Sequence, residues 1–214
     1  MLTEIEREIA ITMVEALVEY GLNEHLQAHG CNGAENWFFD EQLENAGFGA
    51  SAGETKICIW HDDLANWVIK VGLVGNGSGS HIKDHAALEY NVYCKAKEAG
   101  LTRYFPETIC LGDFGGHFFY IQQWAECSEE SVSSEWYVRL QDRYDEKGSD
   151  YDSDDIWYEI DNMDDDEKAM LIFNDEKLCS FLWQNGVGDL HEGNFGFIDG
   201  CLTIVDFSGY HPYD

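Results

Sequence analysis

Apolar residues recur at helical spacing over the first twenty positions. Ile5, Ile9, Met13, Ala16, Leu17 and Tyr20 fall on one stripe, which predicts an amphipathic helix over 3–20. Thr3 followed three residues later by Glu6 has the form of a capping box, and Gly21 supplies a stop. A short helical piece is expected over 22–29. The first reads as a packing element that covers part of a sheet, with a dimerisation or partner-docking helix as the other reading.

From residue 36 the period changes. Asn36–Phe39 is a short apolar run, and 47–55 are mostly small residues. Lys56–Trp60 and Trp67–Val71 are apolar runs around a turn at His61–Asp63. The order is strand, small-residue loop, strand, turn, strand. Residues 72–80 are Gly/Ser-rich, the composition of a mobile loop. Helical spacing returns over 82–99 and stops at Gly100. Two strands follow, Phe105–Gly112 and Phe118–Trp124, around a Gly115-Gly116 turn. Residues 127–167 are the least regular part. Residues 166–184 read as one helix with Met170, Leu171, Phe173, Leu178, Phe181 and Leu182 on its core face. Two short apolar strands then form a hairpin-like pair.

A chain of 214 residues, 44% hydrophobic and 14% aromatic, can bury a core as one domain, or one plus an appendage. Charge changes the picture more. Twelve basic residues against 42 acidic ones give a net charge of −30. Such a surface repels DNA, RNA and anionic membranes, so no nucleic-acid or membrane partner is expected. It also repels free ATP at long range, so a nucleotide site needs a metal and local donors. The acids form either a solvated surface or a face for a basic protein partner; a nucleic-acid mimic is a third reading. They are densest from Asp142 to Glu167, where thirteen of 26 residues are acidic and Tyr144, Tyr151, Trp157 and Tyr158 are interleaved. The aromatics argue against a disordered tail. The cysteine count of seven is odd and lacks a Cys-x-x-Cys, which predicts reduced, buried thiols. Acidic residues stand where a signal peptide is basic, and no apolar run reaches ~18 residues. The expected compartment is the cytoplasm.

Candidate chemistry concentrates in Gly188-Asp189-Leu190-His191-Glu192-Gly193-Asn194-Phe195-Gly196 and Val205-Asp206-Phe207-Ser208-Gly209. Asp189 and Asn194 are five apart, and Asp206 follows twelve after Asn194. Phosphoryl transfer from a nucleotide needs this set: one carboxylate to orient or deprotonate a hydroxyl, and an amide with a second carboxylate to hold Mg²⁺ on the phosphates. Upstream, Lys70 ends the apolar run Trp-Val-Ile-Lys, and Glu89 lies nineteen residues later inside the expected helix. Taken singly, Lys70 is equally a strand-edge lysine that blunts pairing, and Glu89 a surface acid. The Gly47-Phe48-Gly49-Ala50-Ser51 stretch lets backbone N–H groups approach a phosphate, or marks an ordinary turn; it has no Walker A ending.

The closing stretch resembles the catalytic and metal-binding loops of the protein-kinase-like superfamily. It looks closest to the aminoglycoside-phosphotransferase branch, where an Asp-Leu-His-x-Gly-Asn run is typical. The resemblance implies a kinase-like α+β fold: an antiparallel N-lobe sheet carrying a helix, and a reduced C-lobe of a helix and the catalytic and metal-loop hairpin. The implied divisions are a helical segment 1–34, an N-lobe 35–126, and a C-lobe 127–214 with the acidic insertion 142–167. By resemblance Asp189 is the catalytic base, and Asn194 and Asp206 hold Mg²⁺. Lys70 holds the phosphates of ATP and Glu89 orients Lys70. Gly47, Gly49 and Ser51 cover the phosphates, and the backbone at 122–126 reads the adenine edge. Trp124 itself is expected in the core, and His191 is read as a structural hydrogen-bonder.

Three departures stand beside the match. Val187 occupies the place two before the catalytic Asp where the family has His. The metal loop reads Asp-Phe-Ser-Gly, one residue longer than Asp-Phe-Gly. Only five residues follow Gly209, where the family places an activation segment or a substrate platform. The resemblance is therefore to a C-terminally truncated, minimal form, with its acceptor on 127–167, on the N-terminal helix or on another protein. The expected function is ATP–Mg²⁺ binding with phosphoryl transfer to a hydroxyl. The second reading is a non-catalytic kinase-like module that engages a basic protein.

Overall fold

The computed structural model describes residues 1–29, 38–53, 55–72, 84–147, 153–188 and 190–208. They form an α+β fold that divides into two units, Met1–Lys97 with Pro106–Trp124, and Glu98–Phe105 with Ala125–Asp214. This division differs from the one read in the sequence: the N-terminal helices group with the sheet, and 98–105 groups with the C-terminal residues.

In the first unit, α1 (Glu4–Tyr20) begins with the expected capping box: Thr3 Oγ1 accepts the Glu6 N–H, and Glu6 reaches back to the Thr3 N–H. Those bonds hold the Glu6 carboxyl below its ordinary range. Gly21, at φ +108°, closes the helix in the left-handed conformation that favours glycine. The buried stripe is Ala10, Met13, Val14 and Leu17, whereas Ile5, Ala16 and Tyr20 are exposed. The buried stripe is therefore rotated from the one predicted by apolar spacing: Ala10 and Val14 join Met13 and Leu17, and Ile5, Ala16 and Tyr20 leave it. Next come α2 (Leu22–His29) and α3 (Glu41–Asn45), the latter capped by Asp40.

Five antiparallel strands run β1 (Phe48–Ala52), β2 (Lys56–His61), β3 (Trp67–Gly72), β4 (Thr108–Phe114) and β5 (His117–Gln123), in the order β1-β2-β3-β5-β4. The small-residue stretch expected as a loop is therefore strand β1. Alternation with β2 lets Ala50 and Ala52 fill the apolar face, and Gly49 accommodates the Trp60 indole, with which a Cβ would collide. Phe38 and Phe39 are not a strand but a buried turn. Gly115 and Gly116 both take positive φ, as a tight hairpin turn demands. The Gly/Ser-rich stretch from 73 onwards lies outside the described residues.

Period two splits the sheet's faces. Ile57, Ile59, Trp67, Ile69, Val71, Phe119 and Ile121 pack under α1 and α2 in one apolar cluster. The other face carries Lys56, Cys58, Lys70 and Tyr120, and α4 (His85–Ala99) lies on it, with Tyr90 packed at 5.5 Å on Tyr120.

The second unit holds α5 (Glu129–Lys147), α6 (Ser153–Asn162), α7 (Asp165–Phe173), α8 (Glu176–Gln184) and the hairpin of β6 (Phe195–Ile198) and β7 (Cys201–Ile204). The described part of 127–167, the least regular stretch of the sequence, is helical over most of its length, because Val132, Trp136, Leu140, Ile156 and Ile160 supply buried stripes between the acids. The single helix expected over 166–184 is two. Asn174 ends α7 in the left-handed conformation at φ 47°, and Asp175 caps α8 through the N–H groups of Lys177 and Leu178. Of the cysteines expected to be buried, Cys127 and Cys201 are exposed, and Cys58, Cys94, Cys110 and Cys179 are partly buried free thiols. Among the described residues no helix is long and apolar enough to cross a membrane.

Candidate functional site

β3 is central in the sheet, and Lys70 in it is buried, which removes the strand-edge reading. Lys70 lies in a row that crosses all five strands: Ser51, Cys58, Lys70, Tyr120 and Cys110 are register partners in succession. Glu89 comes from α4 above that face and is completely buried. Lys70 Nζ donates to Glu89 Oε2 at 2.9 Å, with the ammonium side chain 6% exposed. Burial pushes the Tyr120 hydroxyl well above its usual range and raises the Cys110 thiol, so both stay neutral beside this pair.

The helix is held where Glu89 can reach. Asp84 Oδ1 accepts the Ala87 N–H at 3.0 Å and caps the start of α4. The Asp84 carboxyl fills the space a side chain would take at Gly72, the end of β3. Helix start and strand end are thereby fixed against each other, which sets Glu89 over Lys70.

Sequence reasoning missed a second lysine. Lys56 opens β2 opposite Gly72, on the same face as Lys70, and is also buried. Its Nζ lies 3.1 Å from Glu89 Oε1. The available signal was parity: Lys56 and Cys58 share a face, and Cys58 pairs with Lys70.

The other site residues of this unit are placed differently from expectation. Gly49 and Ser51 are paired strand residues, and Gly47 precedes the strand at φ +91°, beside His61. β1 ends at Ala52 and β2 begins at Lys56. Trp124, expected in the core, is 45% exposed and meets Trp60 edge-on at 6.2 Å. The N–H groups of Gln123 and Trp124 donate to Glu107 and Asn66, so those two donors are engaged within the chain. An aromatic pair, rather than those amides, faces outward here.

In the second unit the β6–β7 hairpin joins Asn194 and Asp206, the two residues expected to hold a metal. Phe195 is register partner to Ile204, which sets Asn194 opposite Val205. The Asn194 carbonyl accepts the N–H of Val205 at 2.9 Å and of Asp206 at 3.5 Å. Ser208 Oγ donates to Asp206 Oδ1 at 3.3 Å. Both residues are half-buried. His191 caps the short 3₁₀ turn Glu192–Asn194, its Nδ1 accepting the Gly193 N–H at 3.1 Å. The hairpin is anchored by aromatics. Phe195 packs edge-on against Trp136, and Phe207 against Phe105 at 5.0 Å; both phenylalanines are completely buried. Gly196 allows close approach, because a Cβ there would stand 2.8 Å from that of Ala125. Asp189 lies outside the described residues.

Among the described residues no group of three or more His, Cys, Asp and Glu side chains gathers as a metal site. One amide and one carboxylate nonetheless fit Mg²⁺, which takes few protein ligands and fills its octahedron with waters and phosphate oxygens.

No protein-family model, no curated protein and no solved structure matches this chain.

Proposed function

We propose that the chain is a kinase-like protein that binds ATP–Mg²⁺ and transfers the γ-phosphoryl group to a hydroxyl acceptor. The observation that carries this reading is the buried Lys70–Glu89 pair, a lysine on the third strand meeting a helix-borne glutamate at 2.9 Å. A lysine in that strand context, paired with such a glutamate, is the phosphate-binding arrangement of kinases. Asn194 and Asp206, at the open end of one hairpin, support the same reading. Mg²⁺, when bound, neutralises charge on the phosphate oxygens.

In this proposal Lys70 holds phosphate oxygens and Glu89 keeps its ammonium in place. Asn194 and Asp206 hold the metal. Asp189 takes the acceptor's proton as its oxygen bonds to phosphorus and the bond to the ADP oxygen breaks. The outward Trp60–Trp124 pair offers rings to the base. The test is Mg²⁺-dependent ATP binding and turnover by the wild type, Asp189→Ala and Asp206→Ala. Binding with turnover that both substitutions abolish supports the proposal, and turnover unchanged in both defeats it.

A second reading keeps the fold and drops the chemistry: a binding module for a basic protein. It is favoured by a cleft of about 680 Å³ between α5, α6 and α7, lined by Arg143, Tyr144, Asp155, Tyr158, Glu159 and Glu167 among others. Salt-sensitive capture of a basic protein without ATP turnover distinguishes it.

A further inference from the structure

Two indoles stand on the sheet face that α4 overlies. Cys58 is register partner to Lys70, and Trp60 follows Cys58 by two residues, so Trp60 shares the face of Lys70. Tyr120 is the partner of Lys70 on the other side, and Trp124 follows it by four, one residue beyond β5. β3 runs between the two strands that carry the rings, with Val68 buried on the same face. The rings meet edge-on at 6.2 Å and remain 37% and 45% exposed. Trp60 is set in place by Gly49, whose bare backbone takes the indole where a Cβ would collide with it.

The polar groups beside the rings are largely engaged within the chain. Gln122 lies in the ladder between Val68 and Thr108, and its side-chain amide donates to Thr108 Oγ1 at 3.2 Å. The N–H groups of Gln123 and Trp124 donate to the carbonyls of Glu107 and Asn66 at 2.8 and 2.7 Å, and that of Glu126 to Phe197 at 2.9 Å. The Ala125 N–H, which these bonds leave out, would meet an acceptor on adenine or on guanine. Ring surface is thus offered here in place of a set of edge donors. Stacking acts on the π-face that every base has and does not distinguish the groups on its edge. A net charge of −30 repels a nucleic-acid strand, so the base of a single Mg²⁺-bound nucleotide is the occupant that fits.

We infer that the Trp60–Trp124 pair holds the base of the nucleotide by stacking and leaves most of its edge unread, so that the chain binds adenine and guanine nucleotides alike. This rests on the ATP-binding reading above and adds to it how the base is recognised.

The experiment measures affinity for ATP, GTP and inorganic triphosphate, with Mg²⁺, in the wild type, Trp60→Ala, Trp60→Phe and Trp124→Ala. ATP and GTP are expected to bind the wild type within about threefold of each other. Loss of a stacked ring predicts that each alanine variant weakens ATP and GTP together by about tenfold, with triphosphate unchanged and Trp60→Phe restoring most of the loss. Oxidative footprinting of the wild type, read by peptide mass spectrometry, is expected to show both nucleotides protecting Trp60 and Trp124. This arm decides the matter if the variants do not fold. ATP bound more than about tenfold tighter than GTP, the mark of a base edge that is read, overturns the inference and leaves the ATP reading standing. So does wild-type ATP affinity in either alanine variant, or an equal fall for ATP and triphosphate. Protection that follows protein concentration instead of nucleotide assigns the pair to a contact between two copies and overturns the inference as well. A wild-type protein that binds neither ATP nor GTP overturns the ATP reading and this inference together.

Discussion

The two candidate regions hold polar groups in opposite ways. At Glu89, three charged side chains from three elements meet in a buried setting, and their geometry depends on a helix docking on a sheet. At Asn194 and Asp206, two half-buried residues are joined through the backbone of a short hairpin. The first is a long-range assembly whose charges are held away from water. The second is set by register within a dozen residues, with aromatic anchors beneath it. The same loss of one negative charge should therefore have very different consequences in the two places.

The largest effect is expected at Glu89→Gln. Removing the carboxylate from two buried lysines should destabilise the fold by about 3–5 kcal/mol, the range for breaking a buried ion pair. Urea unfolding reads this as a lowered midpoint, and a midpoint within error of wild type would show that the trio is not held by charge.

A middle case lies in the second unit, where Tyr104 and Arg103 both donate to Asp175, with the guanidinium at 3.0 Å. The Tyr104 hydrogen bond, foremost, holds the Asp175 carboxyl below its ordinary range. A depressed folded-state pKa contributes stability that is present above the unfolded value, near ~3.9, and is lost as pH falls through the folded value. Thermal unfolding scanned from about pH 5 downward should show this loss. Tyr104→Phe should lower stability by about 1 kcal/mol at neutral pH and flatten the acid limb. An acid limb unchanged in the variant would assign the dependence to other carboxyls.

The smallest effect on folding is expected at Asp206→Asn. A half-buried residue at a hairpin end should change stability by no more than about 0.5 kcal/mol. Matched urea curves for Asp206→Asn and Glu89→Gln make the comparison directly, and equal midpoint shifts would erase the distinction.

Local signals carried well from sequence to structure. Thr3 with Glu6 is a capping box, Gly21 a helix stop, and Gly115-Gly116 a tight turn, because each involves a few adjacent residues whose backbone preferences decide the outcome. The pairing of Lys70 with Glu89 was expected through the resemblance alone, since taken singly the two residues read equally as a strand-edge lysine and a surface acid; the structure brings them to 2.9 Å. Failures arose where partners were distant. The small-residue stretch at 48–52 looks like a loop until β2 pairs with it. Trp124 looks like core until the sheet leaves it facing Trp60. Lys56 drew no reading of its own, because nothing near it in the chain indicates a carboxylate 33 positions away.

By itself the sequence determined the periodicities, the caps, the turns and the acidic surface, all of which follow from side-chain chemistry and neighbours within about a turn or a hairpin. The tertiary structure alone decided which face of α1 is buried, that 48–52 is a strand, that one helix of the C-terminal region is two, and that Glu89 serves two lysines. Those outcomes depend on which surfaces meet and on the burial that meeting imposes on charge. Burial of that kind belongs to the packed chain rather than to any segment of it.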